Sequence, residues 1–191
     1  MTVQTTISTT TDPAVHHWTR AEYHRMGEMG LFDGKCVQLI RGQVIDMSPM
    51  KSRHATGILK VMRVLGNILP NTAHLRPQLP LMLGNFSEPE PDIAIVAGSL
   101  EDFAHNHPTT ALLVVEVSDS TLTFVRQTKS VLYAQAGIPE YWILNLVDNA
   151  LEIYRDPQPE GYQSKNVHPA SAQIAPLFAP NTVVSVSDLL P

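Results

Sequence analysis

Three charged residues stand where the surrounding pattern asks for apolar side chains. Glu116 lies inside Leu112-Leu113-Val114-Val115-Glu116-Val117, a run whose near-continuous hydrophobicity is that of a strand buried on both faces. A carboxylate buried there costs several kcal/mol unless it is paired or holds a cation. Asp92 opens the preceding strand signal, directly after Glu88-Pro89-Glu90-Pro91. Lys129 is the one charge in the series Leu122, Val125, Lys129, Leu132, Tyr133 and Ala136, which keeps the i, i+3, i+4, i+7 spacing of a buried helix face. Each has an ordinary explanation taken singly: a structural ion pair, a turn residue, a lysine that snorkels to the rim. Two acids and a lysine brought to the same sheet end have a chemical one. The carboxylates can chelate Mg²⁺, a hard ion that prefers oxygen ligands. A bound metal polarises a phosphate and lowers the pKa of a water, and a lysine can position that water or neutralise charge developing on phosphorus.

The elements that must carry these residues can be read from the same pattern. Thr19-Arg20-Ala21-Glu22 is a capping box, and it starts a helix running to about Gly30. Cys36 to Ile40 and Val44 to Met47 flank Arg41-Gly42-Gln43 as a hairpin. Ser52 is expected to cap a second helix reaching about Leu69, with Ala55, Ile58, Leu59, Met62, Leu65 and Leu69 as its apolar stripe. Ala73 to Leu83, interrupted by Pro77 and Pro80, reads as an edge strand. Pro91 to Val96 and Ala111 to Val117 are the strands of Asp92 and Glu116, and the latter is central. A helix from Leu122 to Ala136 stops at Gly137, with Pro139 beyond it. Tyr141 to Leu146 and Leu151 to Tyr154 bracket a turn at Asp148-Asn149. The fold class expected is α/β, a mixed central sheet flanked by helices, with antiparallel hairpins. Residues 1–17 are expected to form a mobile tail, and residues 18–191 one domain.

Composition excludes several classes. The chain has 191 residues, 43% hydrophobic and 16% charged, which is enough length and apolar content for a packed core. No apolar run approaches the ~20 residues of a membrane span, and the Thr-rich start lacks the basic and apolar segments of a signal peptide. Cys36 is the only cysteine, so neither an intramolecular disulfide nor a cysteine-based zinc site can form. These features point to the cytoplasm. No P-loop or dinucleotide-binding glycine pattern is present, so no organic cofactor is expected. His105-Asn106-His107 beside Pro108 reads as a polar loop, and His54 as a packed helix residue. The net charge of −5 argues against a protein that coats nucleic acid by bulk attraction. Its distribution differs: no acid occurs between Asp46 and Glu88, where Lys51, Arg53, Lys60, Arg63 and Arg76 fall. Arg53 and Lys60 project opposite the apolar stripe of the second helix. Together with Arg63 they are the expected phosphate contacts.

Leu113-Val-Val-Glu-Val-Ser-Asp-Ser-Thr121, Lys129, Leu132-Tyr133-Ala134 and Ala136-Gly-Ile-Pro-Glu-Tyr-Trp-Ile143 closely resemble the Uma-type family of restriction endonucleases. The resemblance takes in Glu90-Pro91-Asp92, the Gln38–Gln43 hairpin and Met47-Ser48-Pro49 leading to His54, and covers about Trp18 to Tyr162. It implies a PD-(D/E)XK core in which Asp92 and Glu116 bind divalent metal, Mg²⁺ or Mn²⁺. It places the catalytic lysine on the following helix, at Lys129, and not two residues after the glutamate, where Ser118 stands. It further implies DNA as substrate and a homodimer. The apolar, aromatic Tyr141–Tyr154 hairpin is a second reason to expect the dimer.

The chain also departs from the family. Gln38 and Gln43 stand where the family commonly carries Glu, and Val125 replaces the Asp that usually precedes Arg126. Gln38 can still offer a neutral oxygen to the metal, as a weaker ligand. The expected function is metal-dependent DNA cleavage, with weakened activity. The alternative is a catalytically silent member that binds nucleic acid or a protein.

Overall fold

Every residue of the strand Leu113–Ser118 is buried, and the rest of the chain is layered on its two faces. The computed structural model describes residues 13–191, so residues 1–12 of the expected 1–17 tail lie outside the described residues. In chain order the elements are α1 (Arg20–Glu28), β1 (Val37–Ile40), β2 (Gln43–Asp46), α2 (Ser52–Asn67), β3 (Ala73–Pro77), β4 (Ile93–Ala97) and β5 (Leu113–Ser118). There follow α3 (Leu122–Phe124), a π-helical turn (Val125–Lys129), α4 (Ser130–Gln135), β6 (Glu140–Asn145), β7 (Ala150–Gln158) and β8 (Gly161–Pro169). The short pieces β9 (Gln173–Ile174), β10 (Val184–Ser185) and α5 (Val186–Leu189) close the chain.

Six strands form one sheet in the order β3-β4-β5-β6-β7-β8. β5 and β6 are parallel, joined by the helical run 122–135, and the other neighbours are antiparallel. This is the mixed α/β architecture that the alternation of signals predicts. Side chains alternate across a strand, so β5 and its neighbours feed two cores. Leu113, Val115 and Val117 pack with Trp142, Leu144 and Ile58, Val61 and Leu65 of α2. Val114 packs on the other face with Tyr141, Ile143, Val125, Leu132 and Tyr133. Each fully buried aliphatic or aromatic side chain contributes about 1.5–3 kcal/mol. Glu116 belongs to this second face, which the run 122–135 covers.

That run is not one regular helix. The N–H of Ser130 reaches five residues back to the Val125 carbonyl, and the widened turn changes the hydrogen bonding of the residues beside it. Two side chains bond there: Ser130 Oγ donates to the Arg126 carbonyl, and Tyr141 Oη donates to the Val125 carbonyl at 3.1 Å. Arg126 is tied in turn to Glu152 of β7, which is fully buried and also accepts from Tyr154 Oη at 2.8 Å, Asn145 Nδ2 at 3.0 Å and Lys165 Nζ at 3.1 Å. Apolar spacing carries no signal for a π turn, and the hydrophobic pattern before Arg155 carries none for β8.

Other details correct the pattern reading. Ser52 is the first residue of α2 rather than its cap; Lys51 holds that position and makes no side-chain capping bond. Leu59 is 64% exposed, and the buried positions are Gly57, Ile58, Val61 and Leu65. The Tyr141–Tyr154 hairpin, expected to offer an apolar surface to a second copy, spends Tyr141, Trp142, Ile143, Leu144 and Tyr154 on the chain's own two cores. Thr19 and Glu22 form the capping box of α1 as expected.

Burial alone would raise the Glu152 carboxyl, yet its hydrogen bonds from Arg126, Tyr154 and Lys165 hold it down to about 2, from an ordinary 4.5. A carboxyl lowered on folding stabilises the native state above its ordinary value, and that stability fades as pH falls from about 4.5 toward about 2. The difference corresponds to about 3 kcal/mol. Urea denaturation across this range should therefore give a steep acid limb for the parent and a flatter one for Glu152→Gln; parallel limbs would exclude this role.

Candidate active site

β4 and β5 pair antiparallel with Ile93 opposite Val115 and Ala94 opposite Val114. Continuing that register by one residue sets Asp92 opposite Glu116, and the two-residue side-chain period puts both on the face covered by the lysine run. Asp92 Oδ2 accepts from the Val117 N–H at 2.7 Å, so the side chain occupies the place of the next rung of the ladder. Its Oδ1 lies 3.2 Å from His54 Nε2. His54 reaches it because α2 lies close against β5: a Cβ added at Gly57, one turn further on, would stand 3.0 Å from Val117 Cγ1.

Glu116 accepts two bonds at one oxygen, from Lys129 Nζ at 2.7 Å and from Tyr133 Oη at 2.8 Å. Lys129 is 4% exposed, and Lys129 and Tyr133 lie one turn apart on the run 122–135. Among the described residues, Oε2 of Glu116 receives no hydrogen bond. Burial pushes the Glu116 carboxyl above its usual value against the pull of Lys129, and the Asp92 charge pushes it further. Burial also raises the Tyr133 hydroxyl well above its usual value, so it remains a donor. The bond to Asp92 holds the His54 imidazole above its usual range against the effect of burial.

His54, Asp92, Glu116 and Lys129 open on one cavity of about 630 Å³, whose wall also includes Gln38, Lys51, Glu90 and Asp119. Gln38 Oε1 accepts from the Glu90 N–H at 3.3 Å. The Glu90 carboxyl is raised by burial and by Glu88, against Lys129. Asp92, Glu116, Lys129 and Gln38, expected from the sequence, are thus gathered in one place.

The basic residues of α2 are not. Arg53 is exposed and donates to Asn149 Oδ1 at 2.5 Å, and Arg63 is exposed further along the helix. Lys60 is half-buried, with its ammonium on the Leu190 carbonyl, so it is not a free surface cation. His107 engages Arg76 at 3.1 Å. The sequence reading missed His54 and Glu90 as members of the cleft. Period two was the available signal for Glu90, since residues 88, 90 and 92 share one face of an extended segment. For His54 the signal was its place one turn before Gly57, the close-packing point of α2.

Among the described residues no group of three or more His, Cys, Asp or Glu side chains is arranged to hold a metal ion. Of the carboxylates on the cleft wall, Asp92 and Glu116 stand opposite each other on adjacent strands, and the Gln38 amide lines the same cavity. That donor set fits Mg²⁺, which is ordinarily held by one or two carboxylates while keeping several waters. It does not fit zinc, which takes three or four nitrogen, sulfur or carboxylate ligands.

Fold and cleft together define the restriction-endonuclease-like class of α/β proteins. A solved structure described as a putative nuclease belonging to DUF820, from Anabaena variabilis ATCC 29413, shares this fold with a TM-score of 0.72 and 18% sequence identity, covering 90% of this chain and 96% of its own. The family model Uma2, described as "Putative restriction endonuclease", matches residues 20–187, and the chain belongs to that family. No curated protein matches the chain.

Removing one partner of a buried ion pair leaves the other uncompensated, at about 3–5 kcal/mol. Lys129→Met should therefore destabilise the fold by that amount in urea denaturation, and the double variant Lys129→Met/Glu116→Gln should recover most of it. A double variant as unstable as the single one would show that packing of the lysine stem, and not the charge, is what matters.

Proposed function

We propose that the chain is a metal-dependent DNA endonuclease acting at the Asp92–Glu116–Lys129 cleft. The observation that carries this reading is the convergence of two carboxylates and a buried lysine at the end of adjacent strands. Asp92 and Glu116 would hold Mg²⁺ or Mn²⁺, with Gln38 as a neutral third oxygen. Bound there, the metal supplies Lewis-acid polarisation of the phosphate and an acidified water. Lys129 holds its ammonium at the same place, where it can orient the attacking water and offset charge on the phosphate oxygens. Asp92 is itself oriented by His54 and by the Val117 N–H. The first turn of α2 contains no acid, its N-cap Lys51 makes no side-chain capping bond, and Lys51 and His54 line the cleft, so this helix start would serve as a receptor for a backbone phosphate. Arg53 and Arg63 extend that basic edge along α2, and Lys60 is left to its bond with Leu190.

A second reading is a catalytically silent DNA-binding member, favoured by Gln38 and Val125, which each remove a negative charge the family commonly carries. Metal titration by calorimetry together with plasmid nicking separates the two. The nuclease reading expects saturable Mg²⁺ or Mn²⁺ binding and metal-dependent nicking. Asp92→Asn and Glu116→Gln should each weaken the metal by at least ~10–100-fold and abolish nicking. Gln38→Glu should tighten it by roughly tenfold, or about 1.4 kcal/mol, because a third carboxylate adds Coulombic attraction. Metal binding without nicking in both the parent and Gln38→Glu would favour the silent reading. Metal affinity unchanged in Gln38→Glu would remove Gln38 from the ligand set.

A homodimer in the cytoplasm completes the proposal. Among the described residues no helix is long and apolar enough to cross a membrane. The long edge strand β8, with Val167 58% exposed, is the surface we assign to the second copy. Light scattering should give twice the chain mass at micromolar concentration, and a monomer mass would overturn the assignment.

A further inference from the structure

A second cavity, of about 870 Å³, shares no lining residue with the cleft and lies between the β1–β2 turn, the segment 82–87 and the end of α4. None of the side chains lining it is acidic, although the chain carries 18 acids against 13 lysines and arginines. Arg20 and Arg41 stand on its wall, with Phe86, which is 45% exposed, and apolar Met82 and Leu132 between them.

Arg41 is held there against its own backbone preference. It has φ 50° and Gly42 has φ 77°, the two left-handed positions of a tight hairpin turn for which Asn-Gly or Gly-Gly is the favoured sequence. Gly42 cannot be otherwise, since a Cβ there would lie 2.5 Å from His17 Cβ. Nothing in the turn requires arginine at position 41. The turn is pinned by bonds from the Arg41 N–H to Ser87 Oγ at 2.9 Å and from the Gly42 N–H to the Phe86 carbonyl at 2.7 Å. A strained arginine at a fixed turn is a sign of function. Its guanidinium donates to Gln135 Oε1 at 3.1 Å and, among the described residues, meets no carboxylate. Arg20 is oriented by its bond to the Gly84 carbonyl at 2.7 Å and by the buried Glu88 carboxylate 3.7 Å from its guanidinium, so Arg41 is the primary phosphate ligand and Arg20 the auxiliary one.

We propose that this cavity binds a nucleoside phosphate, with the phosphate on Arg41 and Arg20 and the base against Phe86. An unpaired guanidinium fork is matched to phosphate oxygens, and an exposed aromatic face beside it is matched to a base. The nucleotide can come free or as the end of a DNA strand. Gln135 follows Lys129 by six residues, about 9 Å along the helical run, which is two or three nucleotide steps at ~3.4 Å each. A strand end in the cavity would thus bring its own backbone near the cleft. The proposal does not depend on cleavage there.

Calorimetry on the full chain in chelator-treated buffer tests it, with thymidine 5′-monophosphate, thymidine, inorganic phosphate, and a short single-stranded oligonucleotide with and without a 5′-phosphate. Saturable binding of the monophosphate, at least tenfold tighter than thymidine or inorganic phosphate, is expected for a free-nucleotide site. Binding confined to the 5′-phosphorylated oligonucleotide assigns the strand end instead. Arg41→Gly should lose at least tenfold in either case while its melting temperature stays level or rises, because glycine suits the turn. Asp92→Asn should leave binding unchanged, which separates this site from the cleft whether or not the chain cleaves DNA. Absence of binding by every phosphorylated probe, equal affinity for inorganic phosphate, or full affinity in Arg41→Gly would each overturn the proposal.

Discussion

The pairing of Glu116 with Lys129 inside the sheet–helix interface is the constraint on which the rest of this structure turns. Both side chains are almost fully buried, and neither charge could stay there alone. To meet Glu116, Lys129 must face the sheet from a run that also buries Val125, Leu132 and Tyr133. A single regular helix does not do this here; the chain inserts a π turn ending at Lys129. That turn is then held by Ser130, by Tyr141 and by the Arg126–Glu152 contact. Much of the polar chemistry buried on this face of the sheet therefore serves to aim one lysine.

The same reasoning explains which parts were legible from residues. Glu116 announced itself because a carboxylate in an unbroken apolar strand must have a partner, and Lys129 because one charge broke an otherwise apolar stripe. Asp92 could be placed from strand order alone. The π turn was invisible, since adding a residue to one turn preserves most of the stripe: Leu132 and Tyr133 stay inside, and only Ser130 and Ala134 join them. His54 was misread as a packing residue because its role depends on how closely α2 approaches β5. That distance is set by Gly57, whose absent side chain leaves no periodic mark.

Lys60, expected as a phosphate contact, instead meets a backbone carbonyl, for a related reason. Its position on the polar face of α2 was read correctly, but the short α5, with no amphipathic signature of its own, brings the Leu190 carbonyl to it. The aromatic Tyr141–Tyr154 hairpin, read as surplus apolar surface, is consumed by a sheet that continues into β8. Both differences come from the chain beyond Tyr154. There the side chains alternate weakly, and pairing with strands already formed settles the structure more than local pattern does.

The neutral Gln38 can be understood through the same charge balance. Gln38 spends its amide oxygen on the Glu90 N–H, which fixes the approach to Asp92 through Pro91. A carboxylate at 38 would add a further negative charge to a wall that already holds Asp92, Glu116, Glu90 and Asp119, faced by Lys129, Lys51 and His54. Burial already pushes Glu116 and Glu90 above their usual values, with the Asp92 charge adding to the first and the Glu88 charge to the second. A neutral residue at 38 spares the cleft additional repulsion while leaving Asp92 and Glu116 for the proposed magnesium ion. In the proposed magnesium site this balance would trade affinity for stability of the fold, and the ion would depend more on water and on substrate phosphate to complete its shell.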